Sequence, residues 1–418
     1  MISRIVSKTS IHSRAVRRLP RPFSFFKTSD ESAEEFFDTE DEFQAHVEIV
    51  SDLLLTSRKN LVFCGAGLST PSGIPDYRSG FDTKLKTGPG KWEIEKEEGI
   101  REPPKNTLKV PAKSAWPNEG HLALVNLEKH GLIDHVISQN VDGLLTRAQF
   151  PDSKMTELHG NHIKERCVNC GTIHWRDYPT TKLNQRRITE RECVVCGSDL
   201  RVSLVYFGDS LDPDHLERSY EAVDEANFCL VLGSSLQVMP AAYFVKDFLK
   251  RGKNVALVNL QKTAMHSEKT INVHSYTDQF LKAVALNLGV GLAPNETYRD
   301  FKLVDLGQEG SEKGKYQFRF SDFEGKRFDS ASSLKLLNEG NGGYGDVVDI
   351  FDHRLTKAEV FDPHLKTVEV EMFLDEGSSV LEIDANEVVG GQKTARIWYG
   401  YDAGRGVSFD RIEYFSEI

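Results

Sequence analysis

No stretch of this 418-residue chain holds 18 consecutive apolar residues, so no membrane-spanning helix is expected. Cysteine is scarce: six residues are too few for a disulfide framework, and none follows Cys229. Positive charge is not in excess either. Lys and Arg number 52 against 63 Asp and Glu, a net −11, which excludes a broad nucleic-acid footprint. Acidic residues are themselves missing up to Thr28. There Arg4, Lys8, Arg14, Arg17, Arg18, Arg21 and Lys27 alternate with Ile2, Ile5, Ile11, Val16 and serines. That composition is the one expected of an organelle transit peptide, here mitochondrial, with a disordered basic arm as the alternative. The acidic stretch Asp30 to Glu42 is expected to be a solvated linker or helix start, so residues 1–42 are set apart from the folded part.

What is present is an alternation of strands and helices. Phe43 to Leu55 has helical apolar spacing. Leu61 to Cys64 is a short apolar run that breaks into Gly65-Ala66-Gly67. The same design recurs at His135 to Ser138 before Gln139, at Phe228 to Leu232 before Gly233, and at Val255 to Val258 before Asn259. Helical patterns separate them, as at His121 to His130 and Ala241 to Arg251. The expected fold is α/β: a Rossmann-like, doubly wound parallel sheet over residues 43–294, with a small zinc-binding insertion at about 160–203. Ligands of such sheets bind beyond the carboxyl ends of the strands, where all four polar turns lie. A loop at about 77–115, charged and without clear period, is expected to cover the cofactor. Residues 295–418 carry many short alternating runs and 14 basic against 24 acidic residues from Asp300 onward. They are expected to form a separate C-terminal all-β domain, either a partner-binding or oligomerisation module or a passive appendage.

Cys167-Val-Asn-Cys170-Gly and Cys193-Val-Val-Cys196-Gly are paired knuckles. Each C-x-x-C turn offers two thiolates to one side of a metal, and two such turns make a tetrahedral zinc site. Four protein thiolates leave no open coordination position, so this zinc is expected to be structural. Cys64 and Cys229 sit in apolar runs and read as core.

Gly65-Ala66-Gly67 after a strand suits close backbone approach to a pyrophosphate near a helix N-terminus. The third glycine and the ribose-binding acid of hydride-transfer enzymes are missing, which argues against a dehydrogenase. The longer string Gly65-Ala66-Gly67-Leu-Ser69-Thr70-Pro-Ser-Gly-Ile-Pro-Asp76-Tyr77-Arg78-Ser is more specific, and six further motifs follow in order. They are Gln139-Asn140-Val-Asp142-Gly-Leu, Leu158-His159-Gly160, the two cysteine pairs, Phe207-Gly208-Asp209, Gly233-Ser234-Ser235-Leu and Asn259. Over roughly residues 45–285 the chain resembles the sirtuins, and several stretches resemble class II members of the lipoamidase and ADP-ribosyltransferase type.

The resemblance implies NAD as co-substrate, one structural zinc, and acyl-lysine proteins as partners. Relatives of this kind direct the substrate amide oxygen at the nicotinamide ribose carbon, releasing nicotinamide and giving free lysine and O-acyl-ADP-ribose. It implies His159 as general base, with Asn140 and Asp142 in the nicotinamide pocket and Gln139 near the ribose. Arg78 would lie near the pyrophosphate and Tyr77 over the exposed sugar face. Gly65 to Thr70 and Asp76 would complete the cofactor turn. Gly233, Ser234, Ser235, Asn259, Leu260, Gln261 and Tyr276 would lie on the adenosine side. Tyr206, Phe207, Gly208 and Val238 would flank the substrate backbone. The Tyr-x-x-Arg pair that selects acidic acyl groups is not visible. Two other readings stay open: a protein mono-ADP-ribosyltransferase and a non-catalytic NAD or ADP-ribose sensor.

Overall fold

The computed structural model describes residues 34–96, 107–110, 115–176, 180, 187–193, 195–206 and 208–294, together with strand segments between 296 and 416. The expected transit segment lies outside the described residues. Before residue 294 the described strands are β1 (Asn60–Cys64), β2 (His135–Ser138), β3 (Met155–Glu157), β4 (Lys164–Cys167), β5 (Ile173–Arg176), β6 (Ile188–Glu192), β7 (Asp199–Val202), β8 (Phe228–Leu232), β9 (Asn254–Val258) and β10 (Ile271–Val273). The helices are α1 (Glu40–Thr56), α2 (Lys91–Lys96), α3 (Glu119–Lys129), α4 (Leu144–Arg147), α5 (Pro213–Glu225), α6 (Ala241–Lys250) and α7 (Thr277–Asn287).

Six strands form one parallel sheet in the order β10-β9-β8-β1-β2-β3. Strands β1 and β8 are buried along their whole length, as strands covered on both faces must be. Side chains alternate between two cores. Val62 and Cys64 face the layer of α1, α3 and α7, with Val50, Leu124 and Phe280. Leu61 and Phe63 face α5 and α6, with Val223, Phe244 and Phe248. Losing one such side chain, as in Leu61→Ala, costs about 2–5 kcal/mol. Three helix starts are set locally. Thr39 and Glu42 form a capping box on α1, Asn118 and His121 form one on α3, and Asp212 with Pro213 opens α5.

The switch point of the winding lies between β1 and β8, where successive connections run to opposite sides of the sheet. Register places Glu157, Ser138, Cys64, Leu232 and Val258 on one line across the sheet. The turns after them begin level with one another, at Leu158, Gln139, Gly65, Gly233 and Asn259.

Two expectations are corrected. The acidic stretch does hold a helix start, at Glu40 with Thr39 as cap, but residues 34–38 before it are not a solvated linker: Phe36 N donates to Leu260 O and Asp38 N to His274 O, both at 2.9 Å. Apolar Phe36 and Phe37 inside the acidic run give it something to pack. The 77–115 loop is not without structure either. Its described part contains α2, and backbone bonds join Lys91 N to Asp76 O and Trp92 N to Tyr77 O. Residues 97–106 and 111–114 lie outside the described residues.

Strands β4 to β7 make an antiparallel module at the insertion. Beyond residue 295 the backbone supplies β11 (Glu296–Asp305), β12 (Lys315–Ser321), β13 (Arg327–Asp329), β14 (Ser333–Leu337), β15 (Lys357–Phe361), β16 (Thr367–Leu374), β17 (Gly377–Asp384), β18 (Lys393–Asp402) and β19 (Gly406–Ser416). No helix among the described residues is long and apolar enough to cross a membrane.

Candidate active site and zinc centre

The turns after β1 and β8 touch backbone to backbone. Gly233 has φ +57°, and a Cβ there would stand 2.5 Å from Gly67 Cα. Gly65 N donates to Leu232 O at 2.9 Å and Gly67 N to Gly233 O at 2.8 Å. These two N–H groups are therefore committed to the neighbouring turn, not aimed at a pyrophosphate, and two 3-10 turns (Ala66–Leu68 and Thr70–Ser72) follow in place of an α-helix. The glycines serve close packing of the two turns that floor the crevice.

Around that floor the polar residues are linked in two chains. In one, His159 Nδ1 lies 2.9 Å from Gln139 O. A carbonyl only accepts, so Nδ1 carries the proton and Nε2 holds the lone pair. Burial also holds this imidazole below its ordinary pKa, which keeps it neutral and basic near pH 7. The Gln139 side chain in turn accepts from the Ser234 hydroxyl at 2.8 Å, joining the β2 and β8 turns. In the other chain, Asn140 Nδ2 donates to Gly65 O at 3.0 Å and to Ser69 Oγ at 3.2 Å. Ser69 Oγ donates to Asp142 Oδ2 at 2.7 Å, and Leu144 N donates to Asp142 Oδ1 at 2.9 Å. Asp142 is thus a buried, oriented carboxylate.

Two clefts open from this floor. One is lined by Gly67, Thr70, Asp76, Gly233, Asn259, Leu260, Gln261 and Tyr276. These are expected cofactor residues from both ends of the sequence, and Glu35, Ser79 and Leu85 join them. The other cleft is lined by Asn140 and Asp142 together with His121, Ser138, Gly143 and Glu157. Ala66 lies within the floor turn, and Ser235 follows Ser234 in the β8 turn. Asp76 is buried and pins its own loop, accepting from Arg78 N, Ser79 N and Ser79 Oγ; burial pushes its carboxyl pKa up.

Among the residues that sequence reasoning missed, three stand out: Trp92 beside the site, and His121 and Glu35 in the cleft linings. Trp92 packs on the Tyr77 ring at 4.8 Å and lies 5.1 Å from the Arg78 guanidinium carbon. Nothing in its charged surroundings signals this. His121 is 1% exposed; its Nδ1 accepts from Asn118 N at 3.3 Å, so Nε2 bears the proton. Burial pulls its pKa down to about 4. The spacing Asn118-x-x-His121 is a capping-box signal that could have marked the helix start, though not the cleft. Glu35 is the third.

The substrate-side residues adjoin His159. Val205 N donates to His159 O at 2.9 Å, and a Cβ on Gly160 (φ +75°) would overlap Ser203 O. Tyr206 N donates to Asp209 Oδ2 at 2.6 Å, Arg187 lies 4.9 Å over the Tyr206 ring and pairs with Asp209, and Gly208 has φ +92°. Val238 accepts from Ala242 N at the start of α6. Phe207 lies outside the described residues.

Cys167, Cys170, Cys193 and Cys196 converge, with all four Sγ atoms within 4.8 Å of one another. Cys167 to Cys196 is 3.4 Å and Cys170 to Cys193 is 3.6 Å. Tetrahedral zinc with Zn–S near ~2.3 Å needs S···S near ~3.8 Å, so the set fits zinc. Asn169 N and Cys170 N donate to Cys167 Sγ at 3.4 Å. Ser198 donates to Cys196 and brings it down to about 5, whereas burial pushes Cys193 up to about 11, so a bound cation must displace its proton. Cys64 and Cys229 are buried in the sheet, as expected.

The model of the Sir2 family matches residues 65–240. The NAD-dependent protein deacetylase SRT1 of Arabidopsis thaliana is 35% identical over 65% of this chain and 55% of its own length. This chain therefore matches only about half of that relative. The NAD-dependent protein deacetylase of Thermotoga maritima is 34% identical over 57% of this chain and 97% of its own. A solved structure described as Sir2-p53 peptide-NAD+ is 31% identical, covers 58% of this chain and 98% of that one, and has a TM-score of 0.43. With nearly the whole bacterial enzyme matched and the motif residues gathered at one crevice, the chain belongs to the Sir2 family.

Proposed function

We propose that this protein is an NAD-dependent protein-lysine deacylase that passes the acyl group to ADP-ribose. The observation that carries the reading is the tautomer lock on His159: its Nδ1–H is held by Gln139 O, leaving Nε2 as the base at the crevice. NAD, as co-substrate, supplies an electrophilic ribose carbon once nicotinamide can leave. Asn140 and Asp142, fixed through Ser69, present an amide and a carboxylate suited to hold a carboxamide. The first cleft takes the adenosine and phosphates, and Trp92 backs Tyr77 and Arg78 at the reacting end. His159 Nε2 accepts the proton of a ribose hydroxyl as the acyl group moves. Tyr206, Gly208 and Val238 flank the extended substrate.

The acyl group we propose first is acetyl, the group named in the relatives. The class II, lipoamidase-type reading rests on the stretches Glu157–Gly160, Tyr206–Asp209 and Gly233–Val238 and predicts lipoyl instead. The test is nicotinamide release with NAD and a panel of acyl-lysine peptides, followed by mass spectrometry. Acyl-dependent release, lost in His159→Ala, is the expected result. ADP-ribose attached to protein without deacylation points to the transferase. No turnover despite NAD binding points to the sensor.

The mitochondrial matrix is proposed as the site of action from residues 1–28, and a fluorescent fusion with and without them tests it. For residues 295–418 we propose an appended β-rich domain.

A further inference from the structure

Residues 34–38 cross the ends of β9 and β10 as a strap. Glu35 bridges antiparallel to Gln261, and the Phe36 and Phe37 rings rest on His274 and Tyr276 at 5.4 and 5.5 Å. The strap therefore lies on the turns that line the adenosine side of the first cleft. From it the Glu35 carboxylate reaches the loop that follows the first glycine motif. Oε1 accepts from the Thr83 hydroxyl at 2.5 Å, and Oε2 accepts from Lys84 N at 2.7 Å. Tyr276, itself in the cleft lining, donates its hydroxyl to Lys84 O at 3.3 Å. Glu35 lines the same cleft.

The carboxylate thus joins the strap to a loop 48 residues away, and the Tyr276 hydroxyl ties the same loop to a third segment. The loop needs such an anchor. Asp82, Lys84 and Lys86 are exposed, Phe81, Thr83 and Leu85 are half-buried, and full burial begins only at Thr87. No residue of 81–86 is fully buried, and the charge-assisted bonds to Glu35 add to what partial packing supplies at 83–84.

We propose that Glu35 is a positioning residue for the dinucleotide: it clasps the 83–85 loop to the strap and gives the adenosine half of the cleft a fixed third wall. This rests on the NAD reading above. A wall ordered beforehand removes an ordering cost at binding, so the clasp acts on affinity for the dinucleotide and not on the acyl-peptide side.

The full chain is compared with Glu35→Ala, Glu35→Gln and Thr83→Val. ADP-ribose affinity is measured by calorimetry, KM is measured separately for NAD and for acetyl-lysine peptide, and melting is followed without nucleotide. Glu35→Ala is expected to weaken ADP-ribose binding and raise the KM for NAD roughly tenfold, the scale of one or two charged hydrogen bonds, with kcat and the peptide KM unchanged. Glu35→Gln recovers part, since its amide oxygen accepts one of the two bonds. Thr83→Val, which changes only the loop, shows a smaller loss in the same direction. Equal ADP-ribose affinity in wild type and both Ala and Val variants overturns the clasp and leaves the NAD reading standing. A wild-type chain that binds no ADP-ribose overturns both.

Discussion

At the scale of single residues, two histidines carry opposite assignments from the same physics. Both are held neutral by burial, but His159 has its proton on Nδ1 and His121 on Nε2, because one faces a carbonyl and the other an amide N–H. Activity that uses His159 as base is lost only when it is protonated. Since its pKa is lowered, the rate is expected to stay flat through pH 7 and fall below the usual ~6.5. His159→Ala is expected to lower kcat by about 10²–10⁴, the usual share of a general base, with NAD affinity retained. An acid limb that sits above pH 7, or one that persists in His159→Ala, contradicts the assignment. His121 bears on stability. Its folded pKa is about 4 and its unfolded value 6.5, so between those values the unfolded chain binds more protons and stability falls as pH drops. Protonating it in the folded state costs on the order of a few kcal/mol. Urea unfolding from pH 7 to 4 should therefore show a shallower loss in His121→Gln than in wild type. Equal slopes would mean the histidine is not buried neutral.

At the scale of elements, the strand turns and the zinc module each have one weak point. Gly233→Ala places a Cβ 2.5 Å from Gly67 backbone at a positive φ. Backbone strain of ~1–3 kcal/mol together with displacement of the Gly67 turn is expected. Lowered melting and weakened ADP-ribose binding should appear together; unchanged values for both would show that the turns do not need this contact. In the zinc module, metal analysis should give one zinc per chain. Cys193→Ser, or a strong chelator, should expose β4 to β7 to hydrogen exchange before the parallel sheet, because Leu200 is the other buried apolar partner of Cys167 and Cys193 in their cluster. Simultaneous loss in both regions would mean the metal holds the whole domain.

Sequence patterns made these elements legible to different degrees. Four strands of the parallel sheet could be read because each is a short apolar run ending in Gly, Gln or Asn. The zinc ligands could be read because two knuckles share one spacing. Strands β3 and β10 are three residues long, too short for a pattern, and α7 was passed over although it buries Phe280, Leu281 and Val284. The residues missed in the site have a common reason. Glu35, Trp92 and His121 act through contacts over long sequence separations or from a helix cap, and no local motif records them.

At the scale of the whole molecule, the family match ends at residue 240 and the strands from β11 onward lie outside it. A chain ended after Pro294 is therefore expected to keep acyl-dependent nicotinamide release. Loss of that activity with the core still folded would make the tail part of the enzyme.

In the proposed reaction the acyl oxygen is the nucleophile, in a crevice built around His159. The most direct measurement is one turnover with NAD and a peptide whose acetyl-lysine carries ¹⁸O in the amide oxygen. Expected is O-acetyl-ADP-ribose with the label on the ribose C1′ oxygen, the acetyl carbonyl oxygen coming from water, and loss of that product in His159→Ala. Label found in the acetyl group of the product, or left on the peptide while nicotinamide is released, would contradict it.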